Sequence, residues 1–539
     1  MNQIRPYEFQ EADVRDLLAH GSSGFIVAET GAGKTVIGAE TLRRSGARTK
    51  LIIAMPGTIE RVWRRTIIGG EDEETGEWVA GLDPEASLRR LDSSAPGKDA
   101  MSDLEFGEPG YYIMTHQIFA RWRPEHLRVD AMLVDEAHLL GNRDRAGGML
   151  LKKSAKMAGS RMVMSGTMAR NRFENLWTLN RFVYPDRDGD GDIADISPNR
   201  WIDNFCATEY DYHAPGNRVV VGELYPGTVA NLIPCWRQHF KREHCCEFHP
   251  KGFLANLPEP VKIRETVELT GGQRRAMAQM QKDYLAHLQL ATDEWLELPP
   301  AERKKKALVT KLPIVRETRL SQMTLAMPSI VPRPWKPKKN SSEWELQTGF
   351  VIADDGLTKQ AVDQYGFPLW DVVFAPDAES PKLDALIRIF ERVQEPIVAA
   401  TNSKKFAELA VNRLNAKGIR AFEWSSSASE SDRDAARRAL TEGQLDIIVG
   451  VTEAIGTGID GLQDASGVLV SLNKSRDLTS EVQLEGRLDR RGQRRMEGVI
   501  HYEIIAEGST DVGIIDSQLE RRLKLNRSLR RSVSKGVAA

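Results

Sequence analysis

The chain has 539 residues, of which 41% are hydrophobic and 28% charged, which suits two to four domains and excludes a disordered or fibrous protein. Its formal net charge of −2 excludes a strongly basic surface over the whole molecule, so binding to nucleic acid would need a local basic track. The sequence has no apolar run near the roughly 20 residues that cross a bilayer, and no apolar stretch typical of a signal peptide at its N-terminus. Four cysteines are too few for a disulfide framework, which predicts a cytoplasmic protein without membrane attachment.

Five short apolar runs in the first third of the chain predict buried parallel strands. Each ends in a polar or small residue and precedes a stretch that suits a helix: GFIVAET (24–30), KLIIAMP (50–56), YYIMTH (111–116), AMLVDEAH (131–138) and RMVMSGT (161–167). Near-continuous apolar runs are typical of strands covered on both faces, and functional loops follow the carboxyl ends of such strands. Residues 1–185 are therefore predicted to form a first α/β lobe.

The first run leads into AETGAGKT (28–35), a glycine-rich loop before a predicted helix. Glycine lets a phosphate chain approach backbone N–H groups closely. The candidate phosphate-binding residues are Thr30, Gly31, Ala32, Gly33, Lys34 and Thr35. Lys34 would neutralise the β- and γ-phosphates, and the hydroxyl of Thr35 would bind Mg²⁺. Ala28 stands where the strict phosphate-loop pattern has its first glycine. The alternative interpretation of this segment is an ordinary glycine turn before a helix.

An acidic pair ends the run AMLVDEAH, about 100 residues after the glycine-rich loop. Asp135 is predicted to hold Mg²⁺, and Glu136 to orient or deprotonate an attacking water. Adjacent acids after a strand are common, so the pair alone also fits an ordinary strand end. In RMVMSGTMARN (161–171), the Ser-Gly-Thr turn either couples the nucleotide site to a nucleic-acid site or is an ordinary turn.

Residues 186–378 are interpreted as insertions and a linker, partly helical. The run DRDGDGDIADIS (186–197) partly matches a calcium loop, but Ser197 stands where a bidentate glutamate is needed, which favours a solvated acidic turn. The segment 235–249 holds three of the four cysteines, but two are adjacent, which is poor spacing for zinc and favours a buried insertion. Basic stretches at 303–319 and 520–535 are either solvated helix faces or nucleic-acid contacts.

A second α/β lobe is predicted at residues 379–515, followed by a basic helix or tail at 516–539. Its apolar runs are PIVAATN (396–402), IRAFEW (419–424), LDIIVGVT (445–452), VLVSLN (468–473) and VIHYEIIA (499–506). In QLEGRLDRRGQ (483–493), Arg487 and Arg490 are three residues apart, so a helix would place them on one face. Such a pair can stabilise the charge of phosphoryl transfer from an opposing lobe. A basic surface helix is the alternative.

In their order and spacing, these elements resemble helicase superfamily two, and more closely its Swi/Snf-related branch. The matching stretches include RPYEFQEADVRDLL, LIIAMPGTIERVW, MTHQIF, SGTMARNRFENLWTLNRFVYP, VTEAIGTGIDGLQ and QLEGRLDRRGQ. Two positions depart from the branch: Met168 replaces the usual proline, and Asp489 the usual histidine. The resemblance covers most of residues 1–185, 255–325 and 379–515.

The resemblance implies an α/β fold of two RecA-like parallel-sheet lobes, with a mostly helical insertion between them. ATP and Mg²⁺ are the implied cofactors, bound between the lobes. Gln10 is expected to read the adenine, and Gly458 and Asp460 to lie near ATP and the nucleic-acid track. Arg487 and Arg490 are expected to reach the phosphates from the second lobe.

The expected activity is ATP hydrolysis coupled to movement on, or remodelling of, duplex, forked or single-stranded DNA. The compact size favours a phage or bacterial protein of replication, recombination or repair, with proteins of those processes as partners and the cell or host cytoplasm as its location. The alternatives are an RNA-directed helicase, an ATP-gated factor that displaces bound proteins, and a binding module with a vestigial nucleotide site. The last is disfavoured because every matched catalytic position is chemically competent.

Overall fold

The computed structural model describes residues 3–29, 31–71, 76–122, 129–142, 147–154, 159–166, 168, 173–185, 196–210, 218–239, 258–282, 312–336, 350–353, 356–362, 369–425, 428–456, 461–490 and 492–529. These residues form an α/β protein with one parallel sheet of seven strands and another of six. All ten of the predicted apolar runs contain a strand of these two sheets. The prediction of two parallel-sheet lobes is therefore confirmed.

The described residues form strands and helices that follow one another along the chain. The strands are β1 (Gly24–Ala28), β2 (Thr49–Ala54), β3 (Gly69–Glu71), β4 (Trp78–Ala80), β5 (Leu88–Arg90), β6 (Gly110–Thr115), β7 (Ala131–Asp135), β8 (Ser160–Ser165), β9 (Cys206–Tyr210), β10 (Arg218–Glu223), β11 (Trp236–His239), β12 (Val261–Val267), β13 (Pro328–Pro332), β14 (Phe350–Ile352), β15 (Lys359–Ala361), β16 (Trp370–Phe374), β17 (Ile397–Thr401), β18 (Ala421–Trp424), β19 (Ile447–Val451), β20 (Val468–Ser471) and β21 (Ile500–Ala506). The helices are α1 (Glu8–Ala19), α2 (Lys34–Arg44), α3 (Arg65–Ile67), α4 (Ala95–Phe106), α5 (His116–Arg121), α6 (Gly148–Ser154), α7 (Asn175–Val183), α8 (Pro198–Phe205), α9 (Thr228–Leu232), α10 (271–282), α11 (Leu312–Met323), α12 (Pro381–Val393), α13 (Lys404–Ala416), α14 (Glu430–Thr441), α15 (Thr452–Gly456), α16 (Leu462–Ala465), α17 (Leu478–Leu488) and α18 (Thr510–Leu529).

The first sheet has the strand order β11-β1-β8-β7-β2-β6-β5. Its central strands are buried on both faces, as their apolar runs predicted. In β1, Phe25 and Val27 pack into one core cluster, while Ile26 and Ala28 pack into a second cluster on the other face. Successive residues of a strand point to opposite faces, so covering both faces requires an apolar residue at every position.

The second sheet has the strand order β12-β21-β20-β17-β19-β18. Its middle strand follows the same rule, because Ile397 and Ala399 of β17 pack on one side and Val398 and Ala400 on the other. Three of the helices that follow its strands, α13, α14 and α17, begin at side-chain caps. The hydroxyl oxygen of Ser403 accepts a hydrogen bond of 3.3 Å from the backbone N–H of Phe406, which starts α13 directly after β17.

The segment predicted as an insertion supplies an edge strand to each sheet. β11 pairs in parallel with β1 of the first sheet, and β12 pairs in parallel with β21 of the second. Both strands lie within residues 186–378, where the described residues also form antiparallel pairs and helices. The described part of this segment is therefore mixed α and β and not mostly helical as expected, because some of its strands form only by pairing with strands distant in sequence, which the pattern within the segment does not reveal.

None of the helices in the described parts of the chain is both long enough and apolar enough to cross a bilayer.

Candidate active site

The glycine-rich loop lies between the carboxyl end of β1 and the amino end of α2. Gly31 and Gly33 have φ angles of 90° and 77°, in the left-handed region that glycine adopts without steric cost. The backbone N–H of Ala32 donates a hydrogen bond of 3.0 Å to the carbonyl of Glu29, which closes the turn. Helix α2 begins at Lys34 directly after the loop, and the N–H groups at the start of a helix lack carbonyl partners within the helix. This arrangement suits an anion such as a phosphate.

Gln10 packs directly against this loop. Its Nε2 donates a hydrogen bond of 3.3 Å to the carbonyl of Gly33, and its Oε1 accepts one of 2.8 Å from the backbone N–H of Tyr7. A Cβ atom on Gly33 would lie 2.2 Å from Nε2 of Gln10, so the contact requires glycine at position 33. The structure thus places Gln10 at the loop, while its expected contact with adenine stays a prediction.

The predicted acidic pair meets the predicted lysine. Nζ of Lys34 lies 3.5 Å from Oε1 of Glu136, across β8, which separates β1 from β7. Asp135 ends β7 and is almost fully buried. Its Oδ2 accepts a hydrogen bond of 3.2 Å from Nε1 of Trp63, and its Oδ1 accepts one of 2.8 Å from the N–H of Glu136. Thr35, the other predicted Mg²⁺ ligand, follows Lys34 in the first turn of α2.

Glu136 is held in an unusual backbone conformation. Its φ and ψ angles are 45° and 48°, a left-handed geometry that costs a non-glycine residue about 1–2 kcal/mol. Ser165 donates a hydrogen bond of 3.1 Å to Oε2 of Glu136, and Nδ1 of His138 lies 3.3 Å from the same oxygen. Strained residues that are held by several partners are typical of active sites.

The pKa values of the two neighbouring carboxyl groups are shifted in opposite directions. Burial, together with repulsion by Glu136, raises the pKa of Asp135 to about 7. Burial also acts to raise the pKa of Glu136, but attraction by Lys34 and hydrogen bonds from His138 and Ser165 outweigh it and lower that pKa. A divalent cation at Asp135 would favour its ionised form. The pair therefore combines one carboxylate whose ionised form is favoured with one carboxyl whose pKa depends on nearby charge.

A cavity of about 530 Å³ separates the carboxyl edges of the two sheets. From the first lobe it is lined by Met55 after β2 and by Glu136 after β7. From the second lobe it is lined by Asn402 and Lys404 after β17, and by Glu453 after β19. Ligand sites of parallel α/β sheets lie outside the carboxyl ends of the strands. The cavity therefore lies in a cleft between the carboxyl ends of the strands of both sheets.

The predicted arginines lie on and just after α17 in the second lobe. Nε and Nη2 of Arg487 donate hydrogen bonds of 2.8 and 2.7 Å to the carbonyl of Gly456, at the end of α15. Arg490 lies just beyond α17 and is half-buried. Contacts of both arginines with a phosphate stay predictions. The predicted site residues Thr30, Gly458 and Asp460 lie outside the described residues.

Most of each candidate metal segment lies outside the described residues. The residues concerned are 186–195 for the first segment and those within 240–257 for the second. Ser197, at the position where a calcium loop needs glutamate, caps α8 by accepting a hydrogen bond of 3.4 Å from the N–H of Arg200. Cys235 has ligand-capable atoms of Asp16 and His20 within 4.8 Å. However, the Asp16 carboxylate is already engaged by Nη1 of Arg237 at 2.9 Å, in contacts that join α1 to β11.

Several site residues were not identified as functional from the sequence. Trp63 donates to Asp135, and His116 uses its two ring nitrogens to contact the carbonyls of Asp135 at 2.8 Å and Ala54 at 3.1 Å. His116 follows β6 directly, and Asn402 likewise follows β17 directly. The position of His116 and Asn402 directly after predicted strands could have indicated that they lie at the site, since the carboxyl ends of parallel strands share one edge of a sheet.

No family profile matches this chain, and no curated protein matches it significantly. A functional assignment is therefore carried by the residues themselves and by their geometry.

Proposed function

We propose that the protein is an ATP-dependent DNA translocase or helicase of the Swi/Snf-related branch of superfamily two, with two RecA-like lobes. The observation that carries this proposal is the 3.5 Å approach of Lys34 to Glu136, beside a cleft lined by the strand ends of both lobes. A glycine-rich loop, a lysine and an acidic pair are the parts that a phosphoryl-transfer site needs. The family assignment rests on the sequence resemblance.

The first lobe supplies the groups that bind and cleave ATP. The loop of residues 30–33 and the first turn of α2 would hold the phosphates through backbone N–H groups. Lys34, which now contacts Glu136, would turn to the β- and γ-phosphate oxygens. Glu136 would then orient a water for in-line attack on the γ-phosphorus and accept its proton. Ser165 would keep the carboxylate in place during this step.

Mg²⁺ fits the oxygen donors that Thr35 and Asp135 offer. The raised pKa of Asp135 supports this fit. A nearby cation strongly stabilises the ionised form of a buried carboxyl that lies beside another acid. When bound, Mg²⁺ neutralises charge on the β- and γ-phosphates. Trp63 would fix the orientation of the Asp135 carboxylate through its hydrogen bond to Oδ2.

The second lobe supplies positive charge from the opposite side of the cleft. Arg487 and Arg490 would contact the γ-phosphate when the lobes close on ATP, and would separate from it after hydrolysis. Cycles of closing and opening would step DNA held across both lobes. The contacts would be made mainly to the phosphate backbone, so little sequence specificity is expected.

The test is steady-state ATP hydrolysis without nucleic acid and with single-stranded DNA, duplex DNA, forked DNA and RNA. Strong stimulation by duplex or forked DNA that is lost in Lys34→Ala supports the proposal. Stimulation by RNA alone would reassign the protein to the RNA-directed helicases. If the protein hydrolyses ATP and displaces a DNA-bound protein but does not separate the DNA strands, it would be identified as a protein-displacing factor. Absence of hydrolysis under every condition contradicts the proposal.

A further inference from the structure

The C-terminal helix α18 lies against elements connected to both lobes. On one side it packs against β21 and α17 of the second lobe. On the other side it packs against β10 and α9, which precede β11, the edge strand of the first sheet. A helix with both sets of contacts is able to transmit the relative position of the two lobes.

One ion pair joins this helix to the helix that carries Arg487. Nη2 of Arg522 donates a hydrogen bond of 2.9 Å to Oε2 of Glu485. Glu485 and Arg487 are two residues apart on α17, so their side chains leave opposite sides of the helix. Arg487 is directed towards the end of α15, while Glu485 is directed towards α18. Holding Glu485 therefore fixes the rotation of α17 about its axis, and with it the direction of Arg487.

The surroundings of Glu485 keep it ionised. Nζ of Lys262 lies 2.6 Å from its Oε1, and Nδ1 of His501 lies 3.7 Å from the same oxygen. Burial acts to raise the pKa of Glu485, but attraction by Arg522, Lys262 and Lys474 holds that pKa well below its ordinary value. A charge-assisted bond between Glu485 and Arg522 is stronger and better oriented than a neutral one.

The pKa of Arg522 is also affected by the negative charge of Glu29 in the first lobe. Burial acts to lower its pKa, but attraction by Glu485, Glu481 and Glu29 raises it. Glu29 ends the turn that leads into the glycine-rich loop, and its carbonyl accepts the N–H of Ala32. Arg522 is thus attracted by carboxylates of the arginine-bearing helix and, more weakly, by Glu29 at the base of the predicted phosphate loop.

We propose that Arg522 is a positioning residue, which holds α17 through Glu485 so that Arg487 and Arg490 face the cleft when the lobes close. This inference rests on the proposed function, since it concerns the same ATP site. Arg522 would act through Glu485 and not on ATP itself. Its loss should therefore impair turnover in the closed state more than binding of ATP by the first lobe.

The test compares Arg522→Ala, Arg522→Lys and Arg420→Ala in DNA-stimulated ATP hydrolysis by the full-length chain. Arg522→Ala should lower kcat about tenfold and leave KM for ATP within about twofold. Arg522→Lys should recover most of kcat, because it restores a cation on the same helix. Arg420→Ala is the control: it removes an arginine from an exposed ion pair with Asp446 in the second lobe but leaves the contacts of Glu485 intact, and kcat should stay within about twofold of the original chain.

Thermal unfolding of each variant separates positioning from a general loss of folding. If Arg522→Ala does not fold, Glu485→Gln serves as the second variant, and it should show the same fall in kcat with KM preserved. Original kcat in a folded Arg522→Ala, or an equal fall in Arg420→Ala, would overturn the inference and leave the proposed function standing. A chain that hydrolyses no ATP before any substitution would overturn the proposed function itself.

Discussion

The hydroxyl of Ser165, at the end of β8, donates a hydrogen bond of 3.1 Å to Oε2 of Glu136, after β7. Nδ1 of His138 lies 2.9 Å from the same hydroxyl oxygen. The carboxylate that would orient the attacking water is therefore held by the neighbouring strand. The Ser-Gly-Thr turn that contains Ser165 is thus attached to the predicted catalytic centre.

Ser165→Ala should lower kcat for ATP hydrolysis about tenfold and leave KM nearly unchanged. A hydrogen bond to a charged group contributes about 1.5–3 kcal/mol, and about 1.4 kcal/mol corresponds to a tenfold change in rate. Steady-state kinetics with saturating DNA measures the effect. Ser165→Thr retains the hydroxyl and is the control. A Ser165→Ala variant with the original kcat would show that this bond does not position Glu136 during turnover.

Lys34→Ala and Glu136→Gln should each abolish ATP turnover while DNA binding stays largely intact. The first removes the charge that neutralises the phosphates, and the second removes the group that accepts the proton of the attacking water. DNA binding, measured by fluorescence anisotropy without nucleotide, should stay within about threefold of the original chain, because DNA is expected to bind elsewhere across the lobes. Equal loss of DNA binding would indicate that the variants are misfolded.

Arg490→Ala should lower kcat on the order of 10³-fold, as loss of an arginine that stabilises the transferred phosphoryl group does. Arg420→Ala is a suitable control, since Arg420 lies in an exposed ion pair with Asp446, and it should change kcat less than twofold. Normal hydrolysis by Arg490→Ala would contradict a site completed by both lobes.

A buried ion pair should make the second lobe sensitive to substitution at Asp511. Lys382 is fully buried, and its Nζ lies 2.5 Å from Oδ2 of Asp511 and 2.7 Å from the carbonyl of Leu472. Asp511→Ala would leave a buried cation without its partner, at a cost of about 3–5 kcal/mol. Urea denaturation should show this loss, and the double variant Lys382→Met with Asp511→Asn should lose less. An equal or larger loss in the double variant would contradict this explanation.

The stability of the second lobe should fall as the pH drops below about 6.5. Burial, reinforced by nearby Lys474, holds the pKa of His501 well below its ordinary value of 6.5. Below pH 6.5 the unfolded chain binds a proton that the folded protein does not bind. Unfolding is then favoured by at most about 1.4 kcal/mol per pH unit from this group, until the folded pKa is reached.

His501→Gln is the variant that tests this pH dependence. Urea denaturation between pH 5 and 7 should show a smaller decrease in stability for His501→Gln than for the original chain. The decrease should be reduced rather than abolished, since burial also lowers the pKa of His116 in the first lobe. Identical slopes for the two chains would show that His501 does not control the effect.

The sequence alone determined ten of the thirteen strands that the described residues form in the two sheets, and the acid–base residues at the ends of some of them. Near-continuous apolar runs can be buried on both faces only as central strands, so β1, β7, β8 and β17 were recognisable from composition alone. A polar residue directly after such a run must lie at the carboxyl edge. Glu136 follows β7 directly and Lys34 follows β1 through the glycine-rich loop, so both were expected at the same edge of the first sheet, but their contact was not predicted.

Only the tertiary structure decided which distant segments complete the sheets and the site. β11 and β12 join opposite sheets although both belong to the segment interpreted as an insertion. Pairing at a sheet edge depends on backbone hydrogen bonds to a strand far away in sequence, and periodicity within one segment does not specify that partner. The bond between Arg522 and Glu485 has the same origin. A basic residue near the C-terminus gains a defined partner only when the packing of α18 brings the two charges together.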